Sequence, residues 1–138
     1  MATVKFFEEL TSWQEARKLV NIIYEITKQG SFKKDFDLKS QIRRSAVSVM
    51  ANIAEGFHRN SNKDFVRFLD YSRASLAETI SHSYIALDQK YIDTAKFDQI
   101  KNQAEIVWKK INKFISYLTG LTNKTNKTNK TNKTNKTN

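Results

Sequence analysis

The chain has 138 residues, including three glycines but no cysteine or proline, and its 24 basic and 14 acidic side chains give a formal net charge of +10. This length suits one domain, and 39% hydrophobic residues suffice for a packed core. The lack of cysteine excludes disulfides, thiol nucleophiles and cysteine-ligated metals. No apolar run approaches the roughly 18 residues of a membrane-spanning helix, and residues 1–10 lack the pattern of a secretory signal. We therefore expect a cytoplasmic protein with no membrane contact.

The C-terminal segment 122–138 repeats the triplet Thr-Asn-Lys and contains five lysines and no acidic residue. Half of the net charge lies in this segment, and residues 1–121 carry the other half, +5. Because the segment has no apolar side chain to bury, we predict that it is disordered. The chain would then consist of a folded domain, 1–121, and a low-complexity tail, 122–138. The lysines of this tail could tether RNA weakly; the alternative is that the tail is a functionally neutral repeat expansion.

The first two predicted helices cover about residues 12–29 and 38–56. The first begins at Ser12, whose spacing to Glu15 fits a capping box. Its two adjacent apolar stripes are Trp13, Ala16, Val20, Ile23 and Thr27, and Leu19, Ile22 and Ile26. The inward face of the second helix is Leu38, Ile42, Ser45 or Ala46, Val49 and Ile53. Small residues are dense in this second helix and favour the close approach of a neighbouring helix.

The third and fourth predicted helices begin at residues that cap helices well. Ser61 is the predicted N-cap of the third helix, with Asp64 three residues later, and the fourth begins near Asp93 or Thr94. The third helix carries the stripe Phe65, Phe68, Leu69, Ser72, Leu76, Thr79, Ser83 and Leu87. The fourth carries the stripe Phe97, Ile100, Ala104, Val107, Ile111, Phe114 and Leu118.

The glycines and the missing prolines indicate how these helices end and continue. Gly30, Gly56 and Gly120 each follow a helical segment, where a residue that tolerates positive φ ends a helix well. The absence of proline is consistent with long unbroken helices, and no alternating strand pattern of useful length occurs. We predict an all-α fold, an up-down-up-down antiparallel four-helix bundle.

One stretch of the second helix has a specific signature. Residues 41–49 read QIRRSAVSV and residues 52–56 read NIAEG, followed by Arg59. This spacing resembles the four-helix-bundle proteins of the 23S rRNA intervening-sequence family, over roughly residues 10–118. Supporting positions on the first and third helices are Trp13, Ala16, Leu19, Tyr24, Thr27, Phe65, Phe68, Leu69, Ser75, Leu76 and Glu78. Family members often carry prolines after the first helix and near Met50; their absence here predicts a straighter second helix.

The resemblance implies an assembly as well as a fold. Related accessory proteins of diversity-generating retroelements form pentameric barrels, carry basic surfaces and bind a reverse transcriptase and nucleic acid. We therefore expect a ring-like homo-oligomer, with a pentamer favoured. The residues favour an oligomer too, because one antiparallel bundle needs one apolar stripe per helix and the first helix has two. The predicted oligomer interface consists of Trp13, Leu19, Ile22 and Ile26.

Patterns for catalysis and metal binding are missing from the sequence. His58 and His82 are not spaced as in HExxH or Glu-x-x-His metal sites. Neither a glycine-rich nucleophile elbow nor a phosphate-binding loop occurs. We predict no enzymatic activity, no metal and no cofactor.

Charged residues are assigned to two roles. Arg44, Asn52, Glu55 and Glu78 are predicted to form a structural ion-pair network that fixes helix register. The predicted nucleic-acid-binding residues are basic and lie from the second helix to the fourth: Arg43, Arg59, Arg67, Arg73, Lys101, Lys109, Lys110 and Lys113. Adjacent helix residues point about 100° apart, so Arg43 is assigned to binding and Arg44 to the network.

Two functions remain open at this point. One is a basic oligomer that binds RNA or DNA through its phosphate backbone and acts as a scaffold or accessory factor. The other is a protein–protein adaptor, for example for a reverse transcriptase, that does not itself bind nucleic acid. Salt-dependent retention on RNA that is absent for a non-nucleic polyanion of similar charge density distinguishes the two.

Overall fold

A computed structural model describes the backbone of residues 4–136 and the side chains of residues 4–121 and Asn123. Its α-helices are α1 (Thr11–Thr27), α2 (Phe36–Phe57), α3 (Asn62–Asp88) and α4 (Thr94–Lys136). Short 3₁₀ segments at Phe7–Glu9 and Gly30–Lys34 precede α1 and α2. No strand occurs within residues 4–136. The prediction of an all-α chain with four helices is confirmed.

Side-chain caps explain where three of the helices begin. The Ser61 hydroxyl accepts a hydrogen bond from the Asp64 amide at 3.1 Å, as predicted for α3. The Asp93 carboxylate accepts one from Lys96 at 2.9 Å at the start of α4. Asp35 caps α2 through the Leu38 amide at 3.0 Å. Each cap satisfies a backbone amide that has no partner inside its helix.

The predicted capping box of α1 is wrong. The residue before α1 is Leu10, which provides no side-chain cap, and Ser12 is already inside the helix with a buried hydroxyl that has no partner among the described residues. Glu15 instead binds Lys18 and Gln103. Leu10 is buried in the core, so apolar packing fixes the entry into α1 in place of a polar cap.

The three glycines have three different roles. Gly30 has a positive φ of 54°, but it begins the 3₁₀ segment Gly30–Lys34, whereas α1 ends three residues earlier at Thr27 with Lys28 as its C-cap. Gly56 lies inside α2, where an added Cβ would lie 2.7 Å from a ring carbon of Phe65 and 2.9 Å from the Cβ of Phe68. Gly56 therefore allows α3 to pack closely, and does not end α2 through its φ angle. Gly120 lies within α4, so the predicted helix end there is also wrong.

The periodic stripes form one continuous core. Most of the stripe residues in the second, third and fourth helices are buried, while Leu87 and Phe114 are partly buried. On α2 both Ser45 and Ala46 are buried, so the alternative left open in the sequence is resolved in favour of both.

Hydroxyl groups join α2 to α3 along their shared face. The Thr79 hydroxyl donates to Ser45 at 2.8 Å, and the Ser72 hydroxyl donates to the carbonyl of Val49 at 2.7 Å. Ser48 and Ser75 share a hydrogen bond of 2.8 Å. From Ser45 to Val49 the residue number rises along α2, while that of the partners falls from Thr79 to Ser72 along α3. Their small size allows the close approach predicted for α2.

The predicted oligomer interface on α1 is wrong in part. Leu19 and Ile26 are buried in the protein's own core, and Trp13 and Ile22 are half-buried against it. The reason is that α1 packs on two helices: Thr27 accepts a hydrogen bond from Arg43 of α2, and Glu15 accepts one from Gln103 of α4. Both stripes of α1 are therefore covered within one chain, and these residues form no contiguous exposed patch.

The backbone of the Thr-Asn-Lys repeat continues α4 to Lys136, and residues 137–138 lie outside the described residues. The division into a body of 1–121 and a disordered tail of 122–138 stays a prediction, for which a test is given below. No helix within residues 4–136 is long and apolar enough to cross a membrane.

Candidate nucleic-acid interface

The structure distributes the predicted binding residues over several surfaces. Arg59 and Arg67 flank the buried ring of Phe68, with their guanidinium carbons 4.4 and 5.9 Å from its centroid. Arg67 also lies 3.4 Å from the carboxylate of Asp64. Arg59 has no acidic partner among the described side chains. The ring thus supports two cations beside the turn between α2 and α3, and one of them, Arg59, has no carboxylate within salt-bridge distance among the described side chains.

Arg43 is used inside the fold. Its Nε donates to the Thr27 hydroxyl at 2.8 Å, and its guanidinium carbon lies 4.3 Å from the centroid of the Tyr24 ring. A further bond of 3.5 Å reaches the Tyr24 carbonyl, one of the last carbonyls of α1. A cation at a helix C-terminus satisfies such groups and compensates the helix dipole. Arg43 is therefore a weak candidate for binding a phosphate.

The position of Arg44 does not fit its predicted role in a structural ion-pair network. It is exposed and makes no ion pair within the described part of the chain. The same is true of Glu55, about three helical turns away on α2. Asn52 donates to the Ser48 carbonyl at 2.9 Å, and Glu78 lies 3.5 Å from Nε2 of His82. These four residues do not form the predicted ion-pair network, because two face solvent and two bind neighbours on their own helices.

A second surface lies where α3 meets α4. Arg73 donates to Asp70 through Nε at 3.2 Å and to Asn112 of α4 through a terminal nitrogen at 3.0 Å. Its guanidinium carbon is 5.8 Å from the centroid of Trp108, whose side chain is 42% exposed. We call the region defined by Arg73, Tyr84, Lys101 and Trp108 the α3–α4 face.

The other end of the α3–α4 face also pairs an exposed aromatic ring with a cation. Lys101 lies 3.4 Å from the Tyr84 hydroxyl and 5.9 Å from the centroid of its ring. Tyr84 packs on Phe97 with centroids 4.7 Å apart and is 44% exposed. Sequence reasoning missed Tyr84 and Trp108, because it searched the apolar stripes and these aromatics lie outside them.

The lysines of α4 form a third group. Lys109, Lys110 and Lys113 are exposed, and no acidic residue follows Glu105 in the sequence. None of the three has an acidic partner within salt-bridge distance among the described side chains. Their positive charge is therefore open to solvent.

Residues of α4 lower the pKa of one carboxyl group on α1, that of Glu15. The Gln103 amide donates to the Glu15 carboxylate at 2.8 Å, and this bond lowers the pKa of Glu15 below its ordinary value. A hydrogen bond from Lys18 acts in the same direction, with a smaller contribution from the charge of Lys110. Glu15 is thus held in its ionised form at the junction of the two helices.

The α2–α3 face, defined by Arg44, Val47, Glu55 and Tyr71, differs in composition from the three basic surfaces. A groove of about 660 Å³ runs along α2 and includes Arg44, Val47, Ala51 and Glu55. Tyr24 of α1 and Ser48 of α2 also line this groove. Ser48 shares a hydrogen bond with Ser75 of α3, and the exposed Tyr71 lies one helical turn from Ser75. The α2–α3 face thus mixes apolar side chains with charges of both signs.

Within residues 4–121 and Asn123 no group of three or more His, Asp or Glu side chains could hold a metal ion. The fold and surfaces define an all-α protein of formal net charge +10, in whose described part the predicted binding residues other than Arg43 lie on three surfaces. The sequence model of the 23S rRNA-intervening sequence protein family matches residues 8–132, and the chain belongs to that family.

The comparison with solved structures gives the same fold. A crystal structure from Bacteroides thetaiotaomicron, of a protein with unknown function from the S23 ribosomal protein family, superposes with a TM-score of 0.64 at 26% identity. The match covers 75% of this chain and 94% of that one. No curated protein matches.

Proposed function

We propose that this protein is a non-enzymatic homo-oligomer that binds nucleic acid, RNA in particular, through the phosphate backbone and acts as a scaffold or accessory factor. The observation that carries the proposal is the charge of five residues that form no ion pair with a described acidic side chain: Arg59, Lys101, Lys109, Lys110 and Lys113. Of the 19 arginines and lysines in residues 1–121, four form ion pairs with described acidic residues. Accumulated charge of this kind binds phosphates and releases counterions. Membership in a family named for an rRNA insertion favours RNA.

The proposed assembly is a ring, with a pentamer favoured, of up-down-up-down bundles. The antiparallel arrangement is supported by the pairs Ser45–Thr79 and Val49–Ser72, in which chain order is reversed between α2 and α3. Because Leu19 and Ile26 are buried, we now propose that the contacts between protomers lie on the α2–α3 face. Repetition around a ring would multiply the basic surface and strengthen binding through multivalency.

An adaptor function is the second candidate, favoured by the same α2–α3 face. Val47, Tyr71 and Ile85 are exposed apolar residues there or near it, and Arg44 and Glu55 supply charges of both signs. Exposed apolar area rimmed by charge is typical of protein interfaces. A reverse transcriptase is the partner that the family resemblance suggests.

Charge reversal tests the main proposal. Arg59→Glu, Lys109→Glu and Lys113→Glu each reverse an exposed cation that has no acidic partner among the described side chains. Each should weaken RNA binding without dissociating the oligomer. Arg67→Glu is a poorer test, because it would place a second carboxylate beside Asp64. Lys33→Glu, in the 3₁₀ segment Gly30–Lys34, is the matched control with the same change in net charge and should weaken binding least.

Fluorescence anisotropy of a labelled RNA at low salt measures these affinities. If the three reversals bind as the unmodified chain does, while a chain ending at Leu121 loses binding, the repeat alone would account for RNA retention. If the unmodified chain does not bind RNA at all, the adaptor function replaces the proposal.

A further inference from the structure

We propose that the α3–α4 face binds unpaired bases, so that this protein prefers single-stranded over double-stranded nucleic acid. The inference rests on the proposed nucleic-acid binding and names the form of nucleic acid that this surface recognises. Its starting point is the pairing of exposed aromatic rings with cations: Trp108 with Arg73, and Tyr84 with Lys101.

Both rings are held in position and yet remain accessible. Tyr84 packs on Phe97, and Trp108 lies beside Arg73. Arg73 is itself fixed in place by its hydrogen bonds to Asn112 and Asp70. The exposed fractions of the two rings, 44% and 42%, leave ring surface open to solvent. An exposed ring that is already oriented loses little conformational freedom when a base stacks on it, and such stacking accepts any base.

The spacing of the two rings suits several nucleotides of one strand. Arg73, beside Trp108, and Tyr84 are eleven residues apart on α3, which corresponds to about 16 Å along the helix. Ala77 lies between them, is exposed and is too small to block the path. In a duplex the bases are stacked on each other and cannot reach these rings, so the two aromatics would contribute only to binding of an unpaired strand.

The charge of the face fits the same occupant, with one exception. Lys101 has no acidic partner among the described side chains. Asp70 is engaged by Arg73. Glu105 lies between Lys101 and Trp108 at four- and three-residue steps, so it projects from the same side of α4. Its carboxylate should repel a phosphate chain that crosses this face.

Tryptophan fluorescence gives a direct test, since the chain has two tryptophans and Trp13 is half-buried beside Phe7. The full-length Trp13→Phe variant reports on Trp108 alone. We expect poly(U) to quench this emission, and duplex poly(A)·poly(U) at equal phosphate concentration to quench it far less. Trp108→Ala should weaken poly(U) binding about tenfold, within the range for one base–aromatic stack. Trp108→Phe, which keeps a ring, should recover most of that loss.

Duplex binding separates this inference from the proposed function. Trp108→Ala should leave the affinity for the duplex unchanged, because phosphate contacts remain. Glu105→Gln should tighten poly(U) binding more than Glu55→Gln, which removes the same charge from α2. If the protein binds both polymers but Trp108→Ala affects neither, the stacking inference is wrong and the proposed function stands. If neither polymer binds, the proposed function itself fails.

Discussion

Replacement of Gly56 by alanine tests the packing beneath the candidate interface. The added methyl group would lie 2.7 Å from a ring carbon of Phe65 and 2.9 Å from the Cβ of Phe68. The Phe65 ring can rotate, but the Phe68 Cβ moves only with the backbone of α3. Alanine should favour the helical backbone by about 1 kcal/mol relative to glycine, whereas overpacking of a core contact costs about 1–3 kcal/mol. Because the backbone of α3 must move, the cost should lie in the upper half of this range, about 2–3 kcal/mol, and the net loss should be about 1–2 kcal/mol.

Thermal unfolding followed by circular dichroism measures this loss. For a folded body of this size, 1 kcal/mol corresponds to a shift of about 4 °C in Tm, so Gly56→Ala should lower Tm by about 4–8 °C. Gly120→Ala is the matched control, because an added Cβ there meets no atom within 4 Å, and its Tm should stay equal or rise. Since Phe68 supports Arg59, Gly56→Ala should also weaken RNA binding. A Gly56→Ala protein as stable as the unmodified chain would refute the close approach of α2 and α3.

Three further outcomes test other parts of the structure. Thr79→Val removes the buried bond to Ser45 and should cost about 1 kcal/mol in chemical denaturation, whereas an unchanged midpoint would argue against the hydroxyl contacts of α2 and α3. The pKa of Glu15 is lowered in the folded state, so its contribution to stability should be present above the unfolded-state pKa and lost as pH falls through the folded-state pKa. Glu15→Gln should therefore be less stable than the unmodified chain at neutral pH and should converge with it in acid; a difference that persists at low pH would contradict this. Limited trypsin digestion should remove segment 122–138 while the body stays intact, unless that segment is protected by the rest of the protein.

Periodicity was sufficient to predict the helices and their buried faces. The stripes of α3 and α4 have one clear apolar side each, so burial of residues such as Leu69 and Ile111 follows from the sequence. The caps at Ser61 and near Asp93 are hydrogen bonds between residues close in sequence, so they could also be predicted from the sequence. The capping box at Ser12 failed because a tertiary contact, the burial of Leu10, fixes the beginning of α1.

The candidate site was harder to predict from the sequence than the fold. The sequence shows that Arg43 and Arg44 point in different directions, but it does not show which one reaches Tyr24 and Thr27 across the interface with α1. Likewise, the second stripe of α1 looked exposed, because its cover comes from α4, which begins 67 residues after α1 ends. The pairing of Trp108 with Arg73 depends on the register of α3 against α4, which no local pattern specifies.

The salt dependence of RNA binding tests the central claim most directly. We expect log Kd for a single-stranded RNA to rise steeply with log salt concentration. Combined reversal of Arg59, Lys109 and Lys113 to glutamate should reduce that slope by about two, since each phosphate contact on a single strand contributes about 0.7. A slope that the combined reversal leaves unchanged would contradict the account, as would binding that does not depend on salt.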